Sequence, residues 1–400
     1  MKLRTVWVSA IAALSGAGIA ASASAQELRI GFINTMTGGG AVIGRHQVNG
    51  WRLGLEHEGW TKDGDKLGGV ATRVFEADDQ QKPDAGLAAA QKLIQQEKVQ
   101  VIAGVIWSNI LVPVHKIAME AKVGLIGTNA GTSLIAGPLC NPLFISTSWQ
   151  GDQPAEALGT LISKDKVASI YLMAPNYQGG KDLISGVTRT LEGVKIVETN
   201  MFKLGESDFQ AEISKIRAVK PAAVFVFAPG AMGPAFVKQW AASGLGKEVK
   251  LYTIHTIDGV TLPAIGDAGL GAVETIQWTH DLDNEVNKRF VKDYVAKYGH
   301  LPSNFAEQAY NAPRLIAAAL KSVNGKTDDV EALMKAMRKV AFPAARGPYQ
   351  YNVNGFPIQN FYKAEVIKGD DGKPAIVNRG VVTANAKDSY WDKCPADKRS

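Results

Sequence analysis

From Leu28 onward the chain repeats one pattern: a short apolar run, a turn, then a helix-length amphipathic stretch. Such alternation is met by parallel sheets covered by helices on both faces, because each strand needs a crossover before its parallel neighbour can pair. Residues 28–33 read as a buried strand, Thr37-Gly38-Gly39-Gly40 as the turn after it, and a helix begins near Gly44. The next units are strand 72–77, helix 83–97, strand 99–105, helix 113–121 and strand 123–127, with Pro83 and Pro113 placed at helix starts. A second series follows: helix 154–163, strand 168–173, helix 180–191, strand 195–202, helix 208–219, strand 222–227 and helix 232–243. Residues 284–298, 304–323 and 328–339 read as a helical stretch without strands, returning to the first series. Residues 347–382 read as β-rich, with Asn354-Gly355 and Asp371-Gly372 as hairpin turns. The fold class expected is α/β, two doubly wound lobes.

The N-terminus predicts an export signal. Lys2 and Arg4 precede an apolar or small stretch over residues 6–20, and Ala23-Ser24-Ala25 offers a cleavage site, so residues 1–25 are expected to be removed and the mature chain to start at Gln26. With no cysteine near that site to take a lipid, a free periplasmic protein is expected. The formal charge of +6 falls to 6 − 2 = +4 once Lys2 and Arg4 are gone. Acidic and basic residues alternate and no basic run carries interleaved aromatics, which excludes a nucleic-acid footprint. In an oxidising compartment the two cysteines, Cys140 and Cys394, are expected to be joined, because their spacing suits neither CxxC redox chemistry nor a zinc site.

No catalytic set is visible. The six histidines, His46, His57, His115, His255, His280 and His300, are scattered, with no HExxH and no Cys/His spacing, so neither an enzyme nor a metal site is expected, and no cofactor. Gly325-Lys326-Thr327 resembles the end of a phosphate loop, but Leu320 stands where that motif needs glycine. In open α/β sheets ligands bind beyond the carboxyl ends of strands. In the first lobe those positions are residues 35–43, Trp107-Ser108-Asn109 and residues 128–132. In the second they are Pro175-Asn176-Tyr177, Ala228-Pro229-Gly230 and His255-Thr256.

Four stretches in order, residues 30–38, Asp78 to Pro83, Gly104 to Ser108, and Gly205 to Phe209, resemble the type I periplasmic solute-binding proteins of ABC importers related to the leucine/isoleucine/valine-binding proteins. The resemblance spans essentially the whole mature chain. It implies two lobes joined by three crossing strands: residues 27–147 with 280–350 as the first, and 148–279 with 351–400 as the second. It also implies a small-molecule ligand clamped between them and a permease in the inner membrane as partner. Its amino-acid binders hold the ligand carboxylate at positions matching Ser108 and residues 129–132, and the ammonium on a second-lobe acid whose place is taken here by His255. A neutral histidine is no partner for a buried ammonium. Asp258 lies three residues on, in a segment expected to turn away. Gly179 and Ile43 replace aromatics and enlarge the pocket, while Trp107, Trp149 and Tyr177 offer aromatic walls. The expected ligand set is Trp107, Ser108, Asn109, Asn129, Gly131, Thr132, Trp149, Tyr177 and His255, similar to the subgroup that takes benzoate- or cinnamate-like acids. A branched-chain amino acid, a small amide, or a periplasmic sensor role are the alternatives.

Overall fold

Residues 27–400 are described by a computed structural model, so the leader and cleavage site expected over residues 1–25 lie outside the described residues. The first lobe is a sheet of β1 (Leu28–Asn34), β2 (Lys66–Leu67), β3 (Val70–Asp78), β4 (Val101–Gly104), β5 (Gly124–Gly127) and β6 (Phe144–Ser146). Its order is β2-β3-β1-β4-β5-β6, parallel except for β2 at the edge. Helices α1 (Ala41–His57), α2 (Pro83–Gln95), α3 (Ser108–Glu120) and the short α4 (Ser133–Ala136) lie between the strands. Pro83 opens α2 as expected.

Pro113 does not open α3; it lies inside it. Trp107 is extended (φ −109°, ψ 132°) and its carbonyl accepts from the amides of Ile110 and Leu111, so the helix starts five residues earlier, at Ser108. This deep in the second turn, Pro113 removes one hydrogen bond. The earlier start puts the first amides of α3 at the end of β4.

The second lobe comprises α5 (Gln153–Lys164), β7 (Ser169–Pro175), α6 (Gln178–Thr190), β8 (Lys195–Phe202), α7 (Gln210–Val219), β9 (Ala223–Val226), α8 (Met232–Ser243), β10 (Lys250–Thr253), α9 (Leu262–Ile265) and β11 (Val273–Ile276). Strands β6, β10 and β11 escape the sequence pattern because each has only three or four residues, with Ser146, Lys250 or Glu274 breaking the apolar run. After α10 (Glu285–Tyr298), α11 (Asn304–Ser322) and α12 (Val330–Lys339), the chain ends in β12 (Gln350–Tyr351), β13 (Pro357–Lys368) and β14 (Pro374–Ala386). The second sheet runs β12-β13-β11-β10-β9-β7-β8, with β14 antiparallel on β13.

Helices α11 and α12 return to the first sheet. Leu315, Ile316, Leu320, Leu333 and Met337 share one core with Leu28, Ile30 and Phe32, and Trp51 of α1 stacks on Phe32 at 4.6 Å. Each such apolar side chain contributes about 1.5–3 kcal/mol on burial. The chain passes between the lobes after β6, after β11 and after α12. Arg346, on the third passage, is wholly buried: it pairs with Glu307 of α11 at 2.6 Å and donates to the carbonyls of Thr147 and Ser148 on the first. Glu307 is thus an anchor of the hinge. Cys140 and Cys394 are joined, their Cα atoms 5.3 Å apart, which fastens the chain's tail to the first lobe beside α4. A cross-link over 254 residues of sequence stabilises by roughly 2–5 kcal/mol.

Candidate ligand-binding cleft

Between the lobes lies a cavity with an empty volume of about 460 Å³, walled by Trp107, Ser108, Asn129, Gly131, Trp149 and Phe305 on one side and Tyr177, Gly179, Leu183, Phe227, Pro229 and His255 on the other. The first-lobe wall grows out of strained backbone at the end of β4. Val105 has φ +66°, rare for a β-branched residue and costing about 1–3 kcal/mol. The conformation is enforced by its amide on the Ile33 carbonyl and its carbonyl on the Ala130 amide. It delivers Trp107 into the cleft and Ser108 to the first position of α3, where the helix's free amides and dipole favour an anion.

Trp107 is fixed by its indole N–H, which donates to the Thr35 hydroxyl at 2.9 Å, and Thr35 donates in turn to Asp79 at 2.6 Å. Asn129 donates one N–H of its Nδ2 to the Ile106 carbonyl at 2.8 Å, which leaves the second N–H of that amide, while its buried Oδ1 has no donor. Asn129 thus has both a donor and an acceptor to offer in this wall. Gly131 is required by space: a Cβ there would lie 2.0 Å from the Trp149 carbonyl oxygen.

Two expected residues stand aside. Thr132 is buried behind the wall, where its hydroxyl accepts from the Leu134 amide and caps α4. Asn109, one residue past Ser108, does not line the cavity, since adjacent residues on a helix point about 100° apart. The other seven are gathered there: Trp107, Ser108, Asn129, Gly131, Trp149, Tyr177 and His255.

On the second-lobe side, Tyr177 occupies the room left by glycine at 179: a Cβ on Gly179 would lie 2.7 Å from the Tyr177 hydroxyl. The Tyr177 ring stacks with Phe227 at 6.3 Å and meets Trp107 edge-on at 6.1 Å. His255 adopts φ +48° and stacks on Trp149 at 4.3 Å. Burial without a charged partner holds its imidazole down to about 3, so it is neutral. Its Nδ1 lies 3.4 Å from Nδ2 of Asn304, which can only donate; the proton then sits on Nε2, and Nε2–H has no protein partner. Asp258 does turn away. Its Oδ1 accepts from the amides of Val260 and Thr261, outside the cleft.

Phe305, Phe227 and Leu183 complete the apolar surface and were not anticipated. Phe305 comes from the first turn of α11, and the Ser303 cap that starts this helix was its available signal. Beside the cavity, the Ser133 hydroxyl and amide meet the Asp182 carboxylate at 2.7 and 3.1 Å, a direct contact between the lobes. Among the described residues, no group of three or more His, Cys, Asp or Glu is placed to hold a metal ion, and no helix is long and apolar enough to cross a membrane.

Two parallel-dominated lobes around a hinged, part-apolar cleft define a two-lobed solute-binding protein. The chain belongs to the periplasmic binding protein family, whose model matches residues 27–373. It is 30% identical to a solute-binding protein of an ABC transporter from R. palustris in complex with benzoate, with a TM-score of 0.85 over 92% of this chain and 99% of that one. A solute-binding protein of an ABC transporter from Rhodopseudomonas palustris BisB5, in complex with 3,4-dihydroxy benzoic acid, is likewise 30% identical, with a TM-score of 0.85 over 91% and 99% of the two chains. Leu/Ile/Val-binding protein homolog 6 of Brucella abortus is 26% identical over 376 residues, 91% of this chain and 94% of the relative. The chain is accordingly a solute-binding protein of an ABC transporter.

Proposed function

We propose that the ligand is a small aromatic carboxylate, benzoate-like or cinnamate-like, held between the lobes in the periplasm and delivered to an inner-membrane permease. The observation that carries this reading is His255: a neutral imidazole offers an N–H donor where an amino-acid ligand would need a carboxylate. With the hydroxyl of Ser108 and the free amides at the start of α3, the cleft supplies donors from both lobes. Trp107, Trp149 and Tyr177 supply faces and edges for a planar ring. The unpaired Oδ1 of Asn129 suits a hydroxyl substituent on that ring. The relatives complexed with benzoate and 3,4-dihydroxy benzoic acid support the same chemistry.

Closure is then a population shift in which a ligand touching both walls stabilises the closed form. A ligand at about 100 times its dissociation constant adds roughly 2.7 kcal/mol to stability. In a melting-shift panel, benzoate and 4-hydroxycinnamate are expected to raise Tm while leucine and valine do not, and Ser108→Ala should weaken the response by about 1–3 kcal/mol. The name of the Brucella relative favours a branched-chain amino acid as the second reading. Micromolar binding of leucine or valine with no response to aromatic acids would establish that reading and overturn ours.

A further inference from the structure

A second cavity lies on the other side of Asn304 from His255. Its empty volume is about 850 Å³, and it opens between the end of β11, the start of α11 and the β13–β14 hairpin. Leu262, Ile276, Trp278, Pro302, Pro374 and Ile376 make most of it apolar. Into this surface are set two carboxyls and an amide, on Glu274, Asp258 and Asn304, which are 4%, 1% and 2% exposed. Both oxygens of Glu274, Oδ2 of Asp258 and Oδ1 of Asn304 are buried with no hydrogen-bond partner. The His255 backbone amide lies near Glu274 but outside hydrogen-bond geometry.

Buried polar atoms are almost always paired, and an unpaired carboxylate in an apolar wall is among the costliest arrangements a fold can keep. Four buried acceptor atoms without a donor, on three residues that line one cavity, form a set that a single group carrying several N–H bonds would satisfy. We propose that this cavity is a second ligand site, distinct from the cleft, for a primary ammonium attached to a flat or branched apolar group. The ammonium's three donors meet Glu274, Asp258 and Asn304, and the apolar part lies against Trp278, Ile276 and Pro302, where an indole also favours a cation. Burial lifts the Asp258 carboxyl to about 6, and burial together with the Asp258 charge lifts Glu274 well above the usual range, which is the condition a bound cation relieves. Lys373, on the exposed hairpin at the rim, bears the chain's own ammonium next to this opening.

The site is tested on the full mature chain with benzylammonium chloride as probe, by melting shift and calorimetry at low ionic strength. Benzylammonium is expected to raise Tm and to bind at one site, while benzyl alcohol at the same concentration gives no shift. Glu274→Gln, which keeps shape and removes charge, is expected to weaken binding at least tenfold. Ile376→Trp, which fills the cavity from its half-buried rim without touching the acids, is expected to weaken it equally and covers the case in which Glu274→Gln does not fold. Lys373→Met should leave benzylammonium binding in place or strengthen it. Equal shifts from benzyl alcohol, equal protection by potassium chloride alone, or undiminished binding in both Glu274→Gln and Ile376→Trp would overturn the proposal.

Discussion

The two walls of the cleft are built on different terms. The first-lobe wall is fixed from inside its own lobe: Trp107 is held by Thr35, Thr35 by Asp79, and Asn129 by the Ile106 carbonyl. The second-lobe wall has no such scaffold. Among the described residues the Tyr177 hydroxyl makes no hydrogen bond, Phe227, Leu183 and Pro229 are apolar, and His255 takes its Nδ1 partner from Asn304, at the start of a helix packed on the first sheet. One lobe therefore presents a seat formed in advance. The other takes its polar contact from a helix packed on the opposite lobe, so the orientation of His255 depends on both lobes.

The largest test of this contrast falls on the fixed wall. Thr35→Val preserves shape but strips the indole N–H of Trp107 of its acceptor and removes a donor from Asp79, all of them buried. Leaving a buried group unsatisfied costs about 1–3 kcal/mol; the Trp107 N–H is orphaned here, while Asp79 Oδ1 loses one donor and keeps the Gln81 amide. The expected loss is near the upper end, about 3 kcal/mol in urea unfolding of the ligand-free protein. If stability is unchanged, the Trp107–Thr35–Asp79 relay is not what fixes this wall.

The same contrast explains what the sequence could reveal. Trp107, Ser108, Asn129 and Gly131 follow strands whose apolar runs are plain, and a rule about strand ends finds such residues before any coordinates exist. Which side chain enters the cleft is finer than that rule: Thr132 caps α4, and Asn109 sits a hundred degrees round the helix from Ser108. For Asn129 the sequence does not show that one of its two N–H groups is taken by the Ile106 carbonyl, a tertiary neighbour 23 positions away. Phe305 is hard to place in the cleft for a related reason, although the Ser303 cap marks the start of its helix. It reaches the cleft only because α11 folds back onto the first sheet, a long-range packing event that periodicity records as one more amphipathic helix. The pairing of Cys140 with Cys394 was legible because a two-cysteine exported chain has one intramolecular bridge available.

A middle-sized effect is expected where the walls meet. Asn304→Ala removes the donor that fixes the His255 tautomer, so the proton is free to sit on Nδ1 and Nε2 loses its donor role in part of the population. One neutral hydrogen bond is worth about 1 kcal/mol, so affinity for an aromatic acid should fall about fivefold by calorimetry. Ser108→Ala removes a hydroxyl from the cleft lining that the proposed ligand would use, and its loss should be as large or larger. An Asn304→Ala variant that binds as well as the parent would show that His255 is oriented without help from the first lobe.

The smallest effect belongs to the unscaffolded wall. The Tyr177 hydroxyl sits over Gly179 with no protein partner, and burial beside the Asp182 charge pushes its ionisation above the usual phenol range. Tyr177→Phe keeps the stacking on Phe227 and the edge contact with Trp107 and removes only the oxygen. Substitutions that break no named interaction usually fall within about 0.5 kcal/mol, so urea unfolding of the ligand-free protein should be unchanged or slightly improved, set against the loss of about 3 kcal/mol expected for Thr35→Val. A loss above 1 kcal/mol would mean that the tyrosine is held as firmly as Trp107, and the two walls would then differ in chemistry but not in rigidity. A neutral result leaves Tyr177 free to turn toward whatever ligand the first lobe has already seated.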